Sequence, residues 1–292
     1  MLKLADFPRK LCGRTFNSDD LALISRIITE NPSALRQEIS RKVCLAFDWF
    51  KPDGGLKDMS CRVAMLKLHR SGLIELPPPI HGNVNGRRRI QLTPRGEPQK
   101  PIVKPVRDLL PLELRRVVSK EDSYFWNELI DRYHYLDYGN LQGAQIRYLV
   151  NSSEGWLGAL SFSGAAWKVK PRDLWIGWTH ENRIEKLHLL VNNTRFLILP
   201  WVNSKNLASK ILSLCVKKLP QDWQDVYNYK PVLLETFVER DRFAGTCYKA
   251  ANWVFVGCTQ GRGKMDRFSE RKLPVKDIYL YPLTRNFREI LV

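Results

Sequence analysis

The sequence predicts an α/β chain, α+β in its arrangement, built as two domains. Three observations predict it. Apolar residues recur at helical spacing through three successive segments between residues 19 and 71. Five prolines, Pro94, Pro98, Pro101, Pro105 and Pro111, then crowd one stretch with few apolar residues. Beyond it, apolar and alternating runs of strand length are interleaved with helical ones. A chain of 292 residues suits two domains better than one, and 44% hydrophobic with 11% aromatic content can build real cores. The expected boundaries are a first domain over 1–93, a Pro-rich linker over 94–111 and a second domain over 112–292.

Residues 1–18 read as irregular. A first helix is expected over 19–30, with Leu21, Leu23, Ile24, Ile27 and Ile28 as a core stripe and Asn31-Pro32 ending it. Ser33 caps a second helix over 34–46, and Gly72 ends a third over 57–71. A short strand over 73–76, a loop and a returning strand over 87–92 follow. Three helices and then a two-stranded hairpin make a winged helix. Its third helix would enter the major groove and its hairpin would lie along the backbone.

In the second domain, residues 112–133 read as helix and 144–150 with 156–163 as a hairpin. A small-residue loop over 164–168 precedes a polar helix over 179–186. Residues 187–199 are one interrupted apolar element or two short strands. A helix follows over 207–219 and a connector over 223–230. Pro231 then bounds a buried strand over 232–238. Thr246 is the expected N-cap of a short helix reaching Asn252, and a strand over 253–256 follows. Residues 261–264 form a basic loop carrying Arg262 and Lys264. The last strand spans 277–283.

The formal charge of +17 points to anionic partners. No basic amphipathic helix with a lipid-facing aromatic edge stands out, so nucleic acid leads over membrane. Between residues 57 and 107, eleven basic residues face three acidic ones, a net +8 in 51 residues. Lys57, Ser60, Arg62, Lys67 and Arg70 fall on the third helix, and Arg87, Arg88 and Arg89 on the wing. The competing reading is a solvated charge run on a winged helix used for protein contacts. No apolar run of membrane length and no apolar signal core is present, so a cytoplasmic protein is expected. The six cysteines form no CxxC pair, which excludes a zinc ribbon and a disulfide framework. No GxSxG, Walker A or HExxH string occurs, and no metal site is expected. The scattered carboxylates show no paired spacing, which leaves a nuclease with sequence-distant acids open.

His134-Tyr135 is the first candidate for chemistry, as a general base beside an acid; a structural histidine is the alternative. A second lies between Asn193 and Lys210, around a strand and the start of a helix.

The run GTCYKAANWVFVG, residues 245–257, resembles the signature of the phage Mom-like DNA-modification branch of the GNAT acyltransferase fold. That resemblance implies a GNAT-like mixed sheet in the second domain, following the winged helix read from the first. It places Tyr248 and Lys249 on one helical turn, beside His134 and Tyr135, as catalytic residues. It also implies that Arg195, Ser204, Asn206 and Ser209 would hold a coenzyme A derivative, with helix N-terminal amides on its pyrophosphate. The usual loop is written Q/R-x-x-G-x-G/A, and residues 203–209 contain no glycine. Four longer stretches are similar to the DruA family of Druantia anti-phage loci: residues 16–76 with the run LKDMSCRVAMLKLHRSGLIELPPP, GAAWKVKPRDLWIGW at 164–178, LVNNTRFLILPWV at 190–202 and residues 233–264. This similarity implies a DNA-directed role in defence or in mobile elements, in the form without a trailing transposase region. The implied partners are double- or single-stranded DNA and other defence proteins. A DNA-modifying enzyme of Mom-like type is the alternative to a binding module. The sequence sets no oligomeric state.

Overall fold

A computed structural model describes residues 3, 6–79, 90–141, 143–261 and 273–292. The chain divides into two units, Met1–Arg88 and Arg89–Val292.

The first unit opens with a hairpin, β1 (Arg9–Leu11) and β2 (Arg14–Phe16), where the sequence reads as irregular. Cys12 and Gly13 both take positive φ, 50° and 90°, as a two-residue primed turn requires. Cysteine is an unusual residue there, so no turn signal was legible. Helix α1 (Ser18–Thr29) is closed by a capping box between Asn17 and Asp20. Helices α2 (Arg36–Ala46) and α3 (Asp58–Arg70) follow near their expected positions. Ile24, Ile39, Val43, Cys61, Ala64 and Leu68 are fully buried between the three helices. Phe16 anchors the hairpin edge-on against Phe47 and Trp49, at 6.0 and 5.9 Å. Residues 73–76 form no strand among the described residues; the Leu76 N–H bonds to His69 Nδ1 at 3.3 Å. Most of the expected wing, with Arg87, Arg88 and Arg89, lies outside the described residues.

The stretch 94–111, expected as a linker, packs on the second unit. Thr93 bonds to Glu128 through its N–H and its hydroxyl, at 2.6 and 2.7 Å. Strand β3 (Ile102–Val103) pairs with a later one, and Ile102 and Leu109 are buried. Proline fixes φ without forbidding an extended chain from burying the apolar residues between prolines. The expected helix over 112–133 is two elements. Strand β4 (Glu113–Arg116) comes first, and α4 (Lys120–Tyr133) starts where Ser119 accepts from the Asp122 N–H at 3.0 Å.

The chain continues through β5 (Gln145–Ser152), β6 (Gly155–Gly164), α5 (Lys170–Ile176) and α6 (His180–Lys186). Strand β7 (Leu190–Ile198) is one element with a bulge opposite Ser161 and Phe162. Strand β8 (Val202–Asn203) pairs with β3. Helix α7 (Leu207–Tyr227) runs through Pro220, past the expected end. Packing outweighs the lost N–H there: Trp223 is fully buried, and Asp222 accepts the Tyr148 hydroxyl at 2.6 Å. Strand β9 (Leu233–Glu239), α8 (Thr246–Ala250), β10 (Val254–Cys258), β11 (Lys276–Pro282) and α9 (Phe287–Leu291) complete the unit. Gly245, not Thr246, caps α8, at φ 66° with the Tyr279 hydroxyl only 2.5 Å from where a Cβ would sit.

The main sheet has the order β10-β11-β9-β7-β6-β5-β4, in which β7 and β9 are the parallel neighbours and the other pairs are antiparallel. This is a GNAT-like mixed sheet. No described helix is long and apolar enough to cross a membrane.

Candidate functional site

Strands β7 and β9 pair only from Leu190↔Leu233 to Asn193↔Thr236. Beyond that point β7 stays with β6 while β9 stays with β11, so the two strands splay. The bulge at Thr194 turns β7 away where the pairing stops. The fork opens a cavity of about 710 Å³. Its walls are the ends of both strands, the exit of α4 (residues 133–136), the loop before α8 and Ala208 at the start of α7.

The floor is polar and closed upon itself. Tyr248 is buried and its hydroxyl donates to Asn193 Oδ1 at 2.7 Å. Asn193 Nδ2 in turn donates to the carbonyls of Ser161 and Arg195, at 3.0 and 3.1 Å. Thr236 Oγ1 donates to the Asn193 carbonyl at 3.2 Å. Burial pushes the Tyr248 phenol above its ordinary range.

The rim supplies the charge. His134 is buried at the C-terminal end of α4 and stacks on Tyr135, with ring centroids 4.9 Å apart. Its Nδ1 accepts the Leu136 N–H at 3.2 Å, so the proton of the neutral ring sits on Nε2. Burial, reinforced by the Arg195 charge, lowers its pKa to about 4. At neutral pH the buried His134 ring is thus held in its neutral form, with its Nε2–H as a donor. Arg195 is held by the carbonyls of Thr194 and Asp137, at 2.9 and 3.5 Å. No carboxylate lies within ion-pair distance of it among the described residues. Tyr135 has the Arg242 guanidinium 4.8 Å from its ring centroid and Phe243 at 5.2 Å. Its phenol is pushed up by burial and then by Glu239.

The structure thus brings His134, Tyr135, Arg195 and Tyr248 to one cavity. It leaves Lys249 exposed and outside it, since adjacent helical residues point about 100° apart. Ser204, Asn206 and Ser209 lie at the head of α7 but do not line the cavity. Asn206 adopts φ 65° and ψ 3°, the left-handed conformation a glycine would supply, and Ala208 two residues on faces the cavity. The spacing Asn203-x-x-Asn206-x-Ala208 was the legible signal, hidden by asparagine in the glycine position. Asn193, Thr236 and Phe243 carried no signal of their own. Trp253 is buried, Trp201 packs edge-on against Tyr133, and Trp167 is half-exposed; none lines the cavity, whose aromatic wall includes Tyr135, Phe196 and Phe243. No group of metal-ligating side chains occurs among the described residues.

On the first unit, α3 exposes Lys67 and Arg70, while Lys57, Ser60 and Arg62 are half-buried. Arg62 is tied to Asp58 at 3.3 Å. Three other cations of the +8 stretch are also partnered: Arg95 with Asp122, Lys104 with Glu154 and Arg107 with Asp108. Arg262 and Lys264 lie outside the described residues.

Residues 67–271 match a family described as Druantia protein DruA. No curated protein matches. Solved structures similar to the chain include a spermidine N-acetyltransferase mutant from Vibrio cholerae, 13% identical over 61% of this chain and 98% of that one, with a TM-score of 0.38. An N-acetyltransferase from Staphylococcus aureus is 11% identical over 59% and 97%, with a TM-score of 0.35. The ribosomal-protein-S18-alanine N-acetyltransferase from Escherichia coli is 7% identical over 59% and 94%, with a TM-score of 0.37. Likeness at this level concerns fold alone.

Proposed function

This chain belongs to the Druantia protein DruA family, and from that premise we propose that it is a cytoplasmic DNA-binding protein of anti-phage defence. Its first unit, read as a winged helix, meets DNA through α3. Its second unit receives a small group or an extruded base in the cavity between β7 and β9. The observation that carries the DNA reading is the α3 surface. Lys67 and Arg70 are exposed cations with no carboxylate partner among the described residues, on a helix whose opposite face is buried. Free cations can neutralise phosphates and release the counterions condensed on them. The proposal is tested by duplex affinity measured from about 50 to 200 mM salt, where several phosphate contacts predict a loss of roughly a thousandfold. Affinity that ignores salt would contradict it.

A second reading, a DNA-modifying transferase, is favoured by Asn206. Its left-handed backbone and the small Ala208 open the N-terminus of α7 to the cavity. The residues present fit a coenzyme A derivative in that respect: the helix start would face its pyrophosphate, and Arg195 and Tyr248 would line the cavity beyond. When bound, such a group supplies an acyl thioester. This chain's own residues would orient the acceptor through the His134 Nε2–H donor and the Tyr248–Asn193 pair. Calorimetric titration with coenzyme A separates the readings; binding lost in Ala208→Glu supports the transferase, and no heat rejects it.

A further inference from the structure

A second, smaller pocket lies between α4, β5 and the loop that joins them, with a volume of about 140 Å³. Whole ligands occupy sites of roughly 300–1,000 Å³, so this one suits a single group. Arg147 lines it together with Ser123, Asn127, Tyr138, Asn140 and Gln145, and no Asp or Glu does. The Arg147 guanidinium donates to Asn127 Oδ1 and Ser123 Oγ, each at 2.9 Å, and lies 5.3 Å from the Trp126 ring centroid. Both acceptors are neutral. No carboxylate reaches Arg147 within ion-pair distance among the described residues.

The contrast with Arg172 is direct. That guanidinium, fully buried, meets Glu235 at 2.8 Å and Asp173 at 2.7 Å. A protein that desolvates a cation ordinarily supplies an anion. Arg147 has been partly desolvated, which lowers its pKa, yet the fold supplies only amide, hydroxyl and aromatic partners. Those partners fix the guanidinium plane and leave further N–H donors directed by no acidic group. Nearby side chains can donate as well: the Asn127 and Asn140 amides and the Ser123 hydroxyl.

We propose that the Arg147 pocket binds a phosphate group. A planar guanidinium matches two phosphate oxygens at once, which a compact cation does not. The pocket neighbours the main cavity. Arg147 and Arg195 both stand opposite Ser161 in the ladder, two strand spacings or about 10 Å apart. The segment carrying Asp137, Tyr138 and Gly139 runs between them: Asp137 accepts from Arg195, and Tyr138 and Gly139 line the Arg147 pocket. The phosphate belongs either to a nucleic-acid strand or to a free nucleotide. Its binding stands or falls independently of what the larger cavity takes.

The experiment is phosphorus-31 NMR titration of the full chain with inorganic phosphate, beside thermal unfolding in phosphate and in chloride of equal ionic strength. Two variants accompany the wild type. Arg147→Gln removes the charge; Asn140→Asp places a carboxylate at the exposed rim, where folding is not at stake. Phosphate is expected to raise the melting temperature of the wild type more than chloride does. Both variants are expected to bind it at least about tenfold more weakly, the loss of one charge-assisted hydrogen bond. If Arg147→Gln does not fold, Asn140→Asp decides alone. A parallel arm compares a deoxynucleoside 5′-monophosphate with an oligonucleotide lacking a terminal phosphate; the probe whose affinity falls more in Asn140→Asp identifies the source. Phosphate acting no better than chloride, or variants binding like wild type, overturns the proposal.

Discussion

The α3 face and the cavity between β7 and β9 present charge in opposite ways. On α3, Lys67 and Arg70 are exposed and carry no ion pair among the described residues. Around the cavity of the second unit, polar side chains are held in a chain of hydrogen bonds. Tyr248 is held by Asn193, Asn193 by the Ser161 and Arg195 carbonyls, and Arg195 by Asp137. Behind the cavity, on the other face of β9, Glu235 holds Arg172, whose neighbour Asp173 holds Arg183. The difference teaches that substitutions on α3 can change binding without touching the fold, whereas those around the cavity change both. Function in the second unit must therefore be separated from stability by measurements that read each alone.

The largest expected effect lies deepest. Glu235→Ala leaves the fully buried Arg172 with Asp173 as its remaining carboxylate partner and removes the acceptor of the Ala166 N–H, which Glu235 holds at 2.8 Å. A loss of about 3–5 kcal/mol is expected in denaturant unfolding. A change as small as that of an α3 surface variant, within about 0.5 kcal/mol, would erase the distinction between the two regions.

His134 comes next. Its folded pKa of about 4 lies below the unfolded value near 6.5, so between those values the unfolded chain binds more protons. The stability this group contributes is full above pH 6.5 and is lost as pH falls towards 4. The amount is on the order of 3 kcal/mol. His134→Gln should flatten the stability profile in that window relative to wild type; parallel profiles would mean that the ring is not held neutral.

Tyr248→Phe leaves Asn193 Oδ1 without its donor in a buried site. A cost of about 1–3 kcal/mol is expected. If defence activity disappears while the melting temperature falls only by the matching amount, the hydroxyl serves the site. Activity that is restored by lowering the assay temperature identifies a structural role.

Much of this contrast was legible in the sequence. The three helices of the first unit were set by apolar spacing, and α1 also by its capping residues. The mixed sheet, with its parallel pair β7 and β9, agrees with what the residues resembling the GNAT-like end of the chain implied. Tertiary packing hid the rest. Helix α7 crosses Pro220 because Trp223 needs burial, and β4 forms because β5 offers an edge, against a helical reading of its residues. The short α5 lies between the small-residue loop over 164–168 and the polar helix over 179–186, in a stretch to which the sequence pattern assigned no element. At the site, His134 and Tyr135 were singled out by residue type, and Tyr248 by the resemblance of residues 245–257. Lys249 was misplaced because spacing along a helix does not say which of two adjacent residues faces inward. Arg147 resembles any other arginine until the neutral partners around it are seen.

The central claim, that the exposed α3 cations contact DNA, is tested most directly by the salt dependence of duplex affinity in wild type and in the Lys67→Ala, Arg70→Ala double variant. The account predicts a slope of log affinity against log salt reduced by about two, at a melting temperature unchanged within the range of surface substitutions. An unchanged slope in a stably folded double variant would contradict it.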